Sequence, residues 1–299
     1  MHVKRRIATV AMATVVLMAV TIACAGCATS GPRLAAPSVA GPASASSVPL
    51  SLAPAESSPA SPTSSASTSP TPAMLPLAGK VVGVDPGHNG GNFIDADYIN
   101  RIVWNGREDE TCDTTGTQTA GGYTEARFNF NVASDLRADL IAAGARVVMT
   151  RHSDNGVGPC VTTRALIINR AHANVAIDIH ADGGPVSGRG FTVLEPVADG
   201  VNDKVIRASA AFGHDVRAAM LAYTPMPESD YYGHAGLIDR DDLAGLNLTT
   251  VPKILIECGN MPNHTDARLL TSPAFQRLLA RTFTAAIVAF LTGHPLPRG

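Results

Sequence analysis

The fold is decided by residues 81–90, which read VVGVDPGHNG: a short apolar run, then His88 and a glycine-containing turn. The pattern recurs at residues 175–184, VAIDIHADGG, where the apolar run ends at His180. A third run, ILIECGN at residues 254–260, carries Glu257 instead of a histidine. Strands of a mostly parallel sheet read as continuous apolar runs, because both of their faces are covered. The three stretches therefore predict strands of such a sheet.

Helical patterns alternate with these strands. Thr124 and Gly144 bracket a predicted helix whose apolar residues recur every three or four positions, and Ser272 with Pro273 opens another. The alternation predicts a single α/β domain, a twisted and mostly parallel sheet with helices on both faces. We expect strands at 80–85, 146–150, 175–180, 190–194 and 253–257, and helices at 124–143, 162–173, 203–221 and from 272 onward. The long segment 89–124 carries several aromatic residues and is expected to form an ordered flap.

The N-terminal 27 of the 299 residues have the pattern of an export signal, with a basic start and an apolar run that ends near Ala23. A signal anchor that stays in the membrane is the alternative, since the run approaches the length of a membrane span. Cys27, and with a poorer match Cys24, lies in a context that resembles a bacterial lipoprotein cleavage site. An acyl chain on one of them would tether the protein to a membrane, and simple secretion is the alternative.

Residues 28–77 are dominated by Ala, Ser, Pro and Thr, and Arg33 and Glu56 are their only charged side chains. This composition predicts a disordered linker, which leaves residues 78–294 as the folded domain. The signal holds three basic and no acidic residues, so the remaining chain has 20 basic and 25 acidic residues and a net charge of −5. We therefore expect no nucleic-acid partner, because such binding depends on a basic surface. We also expect a monomer.

Three side chains are predicted to meet at the carboxyl edge of the sheet, where ligands of such folds gather: His88, His180 and Glu125. Two histidines and a carboxylate can hold a catalytic zinc ion and leave a fourth position open. Glu125 falls on the apolar face of the first turn of its predicted helix, where it could instead serve only the helix dipole. One histidine at a strand end is more often structural than a ligand, but the combination favours a metal site.

Glu257 is the candidate general base. It ends an otherwise apolar strand, and partial burial raises the pKa of a carboxyl group toward the range useful for proton transfer. A serine or cysteine nucleophile is not expected, because the chain has no G-x-S-x-G turn and Cys258 is read as an inert core thiol. The remaining histidines are expected at the surface: His152, His172, His214, His234, His264 and His294. Cys112 and Cys160 lie in polar loops and are expected to form a disulfide after export.

Together these motifs resemble the zinc-dependent N-acetylmuramoyl-L-alanine amidases of the amidase 3 family, and in particular their exported mycobacterial-type members. The resemblance covers residues 80–291 and is carried by Glu125 and by the segments VDPGHNG (84–90), IHAD (179–182), GRGF (188–191) and ILIECGNMPN (254–263). It implies one zinc ion bound by His88, Glu125 and His180, with Glu257 as the catalytic glutamate. Asp182 departs from the asparagine that is commoner in the family, which leaves the substrate contacts open.

The resemblance also implies a reaction and a place. The expected reaction is hydrolysis of the amide bond between N-acetylmuramic acid and L-alanine in peptidoglycan or its fragments, in the cell envelope or outside the cell. Two alternatives are a zinc carboxypeptidase acting on the same stem peptide and a catalytically silent wall-binding lipoprotein. The presence of all four residues, three ligands and Glu257, argues against the silent protein.

Overall fold

The computed structural model describes residues 74–296. The predicted signal at 1–27, with Cys24 and Cys27, and nearly all of the predicted linker at 28–77 lie outside the described residues. Leu77, the last residue assigned to that linker, is buried in the core, and its N–H donates a hydrogen bond to the Ala143 carbonyl at 2.9 Å. The packed structure therefore includes residues just before the predicted boundary at 78.

A six-stranded sheet forms the centre of the described residues, with a separate two-stranded hairpin beside it. The strands are β1 (Val81–Pro86), β2 (Ile102–Trp104), β3 (Asp109–Thr111), β4 (Arg146–Met149), β5 (Val175–Asp182), β6 (Thr192–Pro196), β7 (Leu237–Arg240) and β8 (Lys253–Asn260). Their order in the large sheet is β4-β1-β5-β8-β6-β7, and only the β6–β8 pair is antiparallel. The predicted mostly parallel sheet is confirmed.

Helices cover both faces of this sheet, as predicted. They are α1 (Ala96–Ile99), α2 (Glu125–Ala142), α3 (Val161–Arg170), α4 (Ile206–Tyr223), α5 (Ala244–Asn247), α6 (His264–Leu270) and α7 (Pro273–Thr292). Because successive strand residues point to opposite faces, Val82 and Val84 join the large core under α2, α4 and α7. Ala176 packs with Ile168 of α3 on the other, smaller side. Asp85 therefore points to the α3 side.

The last helix, α7, is long and apolar enough to cross a membrane by length and composition alone, but half of that stretch is buried within the protein. It packs against α2 and α4. Its apolar face, which includes Phe275, Leu279 and Phe283, belongs to the large core. We therefore interpret α7 as a core helix.

The segment 89–124 is ordered, as predicted, and contains a short 3-10 turn, α1 and the β2–β3 hairpin. Two of its aromatic residues contribute little to this order, because Phe93 and Trp104 are 74% and 59% exposed, whereas Ile99 is buried. Polar contacts also hold the segment. Asn92 Nδ2 donates to the Thr114 carbonyl at 2.6 Å, and the Cys112 N–H donates to the Arg101 carbonyl at 2.8 Å.

Candidate active site

His88 lies in the turn after β1 and has a left-handed backbone, with φ of 55°. The preceding residue must be glycine, because a Cβ on Gly87 would collide with the ring of His180. The missing side chain allows the end of β1 and the His180 ring on β5 to approach each other closely. The two imidazole rings stand edge to face, with centroids 4.9 Å apart. Sequence and packing together bring the two predicted histidines into one site.

Glu125 enters the same site from the first turn of α2. Thr124 caps that helix by accepting a hydrogen bond from the Arg127 N–H. Glu125 is only 4% exposed, and its two side-chain oxygens accept hydrogen bonds from the main-chain N–H groups of Thr117 at 2.9 Å and Ala181 at 3.3 Å. The carboxylate is therefore fixed by the backbone, and it faces the histidines as well as complementing the helix N-terminus.

The three predicted metal ligands, His88, Glu125 and His180, lie close together in the structure. Their ligand atoms lie within 4.8 Å of one another. Glu125 Oε2 is 3.3 Å from His88 Nε2, and Glu125 Oε1 is 2.8 Å from His180 Nδ1. Zinc ligands at about 2.0–2.1 Å in a tetrahedron are separated by about 3.3 Å. The donor types and their spacing therefore fit one zinc ion.

The electrostatics of the group also suit a cation. Burial by itself lowers the pKa of His88, but the charge of Glu125 and the hydrogen bonds to Asp113 and Glu125 outweigh it and raise this pKa to about 9. Burial opposes ionisation of Glu125 as well, yet the two histidines hold its pKa well below the usual value. Without a metal, the histidines therefore stay protonated beside the Glu125 carboxylate, and a bound cation would take the place of those protons.

Glu257 stands directly opposite His180 in the β5–β8 register. Its Oε2 is buried and has no hydrogen-bond partner among the described residues. Burial raises its pKa to about 8; the charge of His180 opposes this rise, and the neighbouring carboxylates Glu125 and Asp182 add to it. The side chain lines a cavity of about 350 Å³ with all three candidate ligands. This is the environment expected of a group that exchanges protons with a ligand.

Two aspartates that the sequence reading did not single out complete the surroundings of the histidines. Asp113 Oδ1, from the 89–124 segment, lies 3.1 Å from His88 Nδ1. Asp178 precedes His180 by two residues on β5, so both point to one face, and its Oδ1 is 3.4 Å from His180 Nε2. The period of two could have indicated Asp178, whereas nothing in the local sequence marks Asp113. Each aspartate faces the nitrogen that Glu125 does not.

Asp182, the position at which the sequence departs from the family's commoner asparagine, makes an internal contact. Its carboxylate accepts a hydrogen bond from the Tyr231 hydroxyl at 2.7 Å. Burial, followed by that hydrogen bond, raises the pKa of Tyr231. This contact joins the β5 end to the 222–251 segment across one side of the cavity.

The structure agrees with the expectation for one described cysteine and does not form the disulfide expected of the other two. Cys258 is buried on β8, as expected of a core thiol. Cys112 and Cys160 are free and buried in this structure, so the expected disulfide is not formed here. The two thiols are hydrogen-bonded neighbours, and burial together with this hydrogen bond raises the pKa of Cys112 to about 11. Their pairing after export stays a prediction. The six remaining histidines are exposed, as expected.

Comparison with known proteins places this site in a family. Residues 82–289 match the family described as N-acetylmuramoyl-L-alanine amidase. The chain belongs to this family. The match includes every predicted ligand and Glu257, so the family and the α/β fold expected from the sequence are confirmed.

Three relatives show how far the likeness extends. The chain is 42% identical over 226 residues to the N-acetylmuramoyl-L-alanine amidase Rv3717 of Mycobacterium tuberculosis, covering 75% of this chain and 91% of the relative. It is 26% identical over 236 residues to the germination-specific N-acetylmuramoyl-L-alanine amidase of Bacillus subtilis, covering 74% and 84%. The crystal structure of the N-acetylmuramyl-L-alanine amidase Ami1 from Mycobacterium smegmatis superposes with a TM-score of 0.69 at 40% identity, covering 73% and 99%.

Proposed function

We propose that this amidase hydrolyses the amide bond between N-acetylmuramic acid and L-alanine in peptidoglycan, with one zinc ion held by His88, Glu125 and His180. The observation that carries the proposal is the convergence of these three side chains beside the unpartnered carboxylate of Glu257 in one cavity. When bound, zinc supplies a Lewis acid for the amide carbonyl and lowers the pKa of water.

Glu257 carries the proton in this scheme. As a carboxylate it accepts a proton from the attacking water while the new carbon–oxygen bond forms. As a carboxylic acid it then returns that proton to the nitrogen of L-alanine while the carbon–nitrogen bond breaks. Its pKa of about 8 in the metal-free protein places both forms within reach near neutral pH. A cation nearby favours the carboxylate, the form that begins the reaction.

The substrate lies outside the cytoplasm, so this function requires export. The predicted signal at 1–27 and the predicted linker at 28–77 fit that requirement. In the proposal the enzyme is an exported monomer of the cell envelope or the extracellular space, either tethered to the membrane by an acyl anchor on Cys27 or Cys24 or freely secreted. Peptidoglycan or muramyl-peptide fragments are its partners.

The test is product analysis with the full chain and a muramyl-peptide fragment. Mass spectrometry should find free stem peptide with an N-terminal L-alanine, formed by the wild type, lost on chelation and restored by zinc. Glu257→Gln should keep its zinc and lose about 10²–10⁴-fold in kcat, because only the proton carrier is removed. Full activity in Glu257→Gln would refute its role.

Glu195→Gln is the matched control. Glu195 is also buried on a strand, burial raises its pKa to about 7, and its Oε1 also lacks a hydrogen-bond partner among the described residues, but it does not line the site cavity. Its variant should retain wild-type kcat. Release of a single amino acid from the other end of the stem would indicate the carboxypeptidase instead. Intact substrate with zinc still bound would indicate the silent wall-binding protein.

A further inference from the structure

A continuous chain of five buried charges runs beneath the candidate metal ligands, with the order Asp113, Arg164, Asp85, Lys253, Asp178. Asp113 Oδ2 is 3.2 Å from Arg164, whose other terminal nitrogen is 3.1 Å from Asp85 Oδ1. Lys253 Nζ is 2.8 Å from Asp85 Oδ2 and 3.2 Å from Asp178 Oδ2. None of these side chains is more than 10% exposed. The signs alternate along its whole length.

Both ends of this ion chain reach a candidate zinc histidine. Asp113 gives one oxygen to Arg164 and the other, at 3.1 Å, to His88 Nδ1. Asp178 gives one oxygen to Lys253 and turns the other toward His180 Nε2, at 3.4 Å. That second oxygen is buried and has no hydrogen-bond partner within the described part of the chain. Buried acceptors normally have a hydrogen-bond partner. A slight rotation of the His180 ring would supply one by forming the hydrogen bond from Nε2 to Asp178 Oδ1.

The position of the ion chain follows from the sheet. Asp85 of β1 pairs in register with Asp178 of β5, and Lys253 begins the next strand, β8. Arg164 reaches them from α3 and also donates to the His88 carbonyl at 2.6 Å. With three carboxylates and two cations, the ion chain carries one excess negative charge. Burying this charge away from water is costly unless nearby groups donate hydrogen bonds to the carboxylates. Each end faces a histidine nitrogen, and at the Asp113 end the Thr114 N–H also donates to Oδ1 at 2.8 Å.

We propose that Asp113 and Asp178 are positioning residues, which hold His88 and His180 in opposite tautomers, and that Arg164, Asp85 and Lys253 join the two aspartates into one unit. This inference rests on the proposed zinc site. A proton on His88 Nδ1 leaves Nε2 for the metal, and a proton on His180 Nε2 leaves Nδ1. Those are the two nitrogens that face Glu125.

In this arrangement the 89–124 segment supplies Asp113, the residue that positions His88. The segment is attached to α3 at that point, where the Val161 N–H donates to the Cys112 carbonyl at 2.8 Å. The Asp113 main chain is held as well, by its N–H donating to the Ile99 carbonyl at 3.1 Å. The 89–124 segment therefore contributes a side chain to the surroundings of the candidate metal site.

The test replaces each aspartate by asparagine in the full chain. Both oxygens of each aspartate face a hydrogen-bond donor. Asparagine replaces one of them with an NH₂ group, itself a donor, which must then face either the cation or the histidine N–H without forming a hydrogen bond. Zinc affinity, measured by competition with a chromogenic chelator, should fall about 10–100-fold in Asp113→Asn and in Asp178→Asn. Asp154→Asn is the matched control, since Asp154 pairs with Arg151 at 3.0 Å and with neither histidine. Its affinity should stay at the wild-type value.

A second readout separates positioning from general stability. In the zinc-loaded, ¹⁵N-labelled wild type, nitrogen chemical shifts should show one histidine protonated at Nδ1 and the other at Nε2. Each aspartate variant should lose the defined tautomer of its own histidine. Asp85→Asn, whose site touches neither imidazole, should also weaken zinc binding several-fold, while circular dichroism shows that it is folded.

The outcomes are distinguishable. If the folded Asp113→Asn and Asp178→Asn variants bind zinc as tightly as the wild type, or if both histidines carry the proton on the same type of nitrogen, the inference is overturned. Unchanged affinity in Asp85→Asn alone would overturn the joined unit. If the wild type itself binds no zinc, the zinc site of the proposed function fails, and the inference fails with it.

Discussion

Replacing Lys253 by methionine tests how much the buried charges contribute to stability. The Lys253 side chain is completely buried, and its ammonium group contacts Asp85 at 2.8 Å and Asp178 at 3.2 Å. Methionine has a similar length but no charge, so Lys253→Met leaves these carboxylates without their shared cation. Removing one partner of a buried ion pair costs about 3–5 kcal/mol of the free energy of unfolding.

That cost converts into a measurable change in melting temperature. For a domain of about 150–250 residues, each kcal/mol shifts Tm by about 2–4 °C. Lys253→Met should therefore lower Tm by roughly 6–20 °C at neutral pH. Arg164 still contacts Asp85 in the variant, which makes Asp178 the carboxylate left with the poorest compensation.

The loss should depend on pH with a definite sign. Burial opposes ionisation of Asp85, but Lys253 and Arg164 outweigh it and hold the pKa of Asp85 well below its usual value. A carboxyl group with a depressed folded-state pKa contributes stability above its unfolded pKa of about 4, and that stability is lost as pH falls through the folded value. Without Lys253 this contribution shrinks. The difference between wild type and variant should be largest near pH 7 and decrease on acidification.

Differential scanning calorimetry of the full chain at two pH values measures both effects. Lys204→Met is the matched control, because Lys204 is exposed and the described contacts give it no ion pair. A second comparison introduces Lys253→Met into Asp178→Asn, where the substitution should cost less because one of the two carboxylates is already neutral. A Tm for Lys253→Met equal to that of the control, or a loss that grows on acidification, would refute the reasoning.

Three further predictions concern the metal and the thiols. His88→Ala and His180→Ala should each lose stoichiometric zinc by elemental analysis, and a variant that keeps it would remove that residue from the ligand set. Since the pKa of His88 is about 9 in the metal-free protein, zinc must displace a proton at pH 7, so affinity should rise with pH toward that value. Calorimetry in buffers of different ionisation enthalpy should detect the proton release, and its absence at pH 7 would contradict the prediction. Peptide mapping of the exported protein should find Cys112 linked to Cys160, whereas two free thiols would exclude the disulfide.

Strong local patterns accounted for most of the fold. The apolar runs predicted β1, β5 and β8, and the capping residue Thr124 marked the start of α2. Both β5 and β8 extend beyond the predicted ends, because Asp182 and Asn260 continue the ladder after the apolar runs stop. The short strands β2, β3 and β7 were not predicted, because runs of three or four residues are too short to show a strand period and their pairing depends on tertiary contacts.

By itself, the sequence selected the side chains that we propose carry the chemistry: His88, Glu125, His180 and Glu257 each occupy a recognisable place in a strand or helix. Only the tertiary structure decided which nitrogen of each histidine faces Glu125, and it alone revealed the buried ion chain behind them. Lys253 and Asp85 are 168 residues apart, yet strand order brings their charges to 2.8 Å. Local periodicity specifies the face on which a side chain lies, but the contacts of that face depend on which distant strands and helices pack beside it.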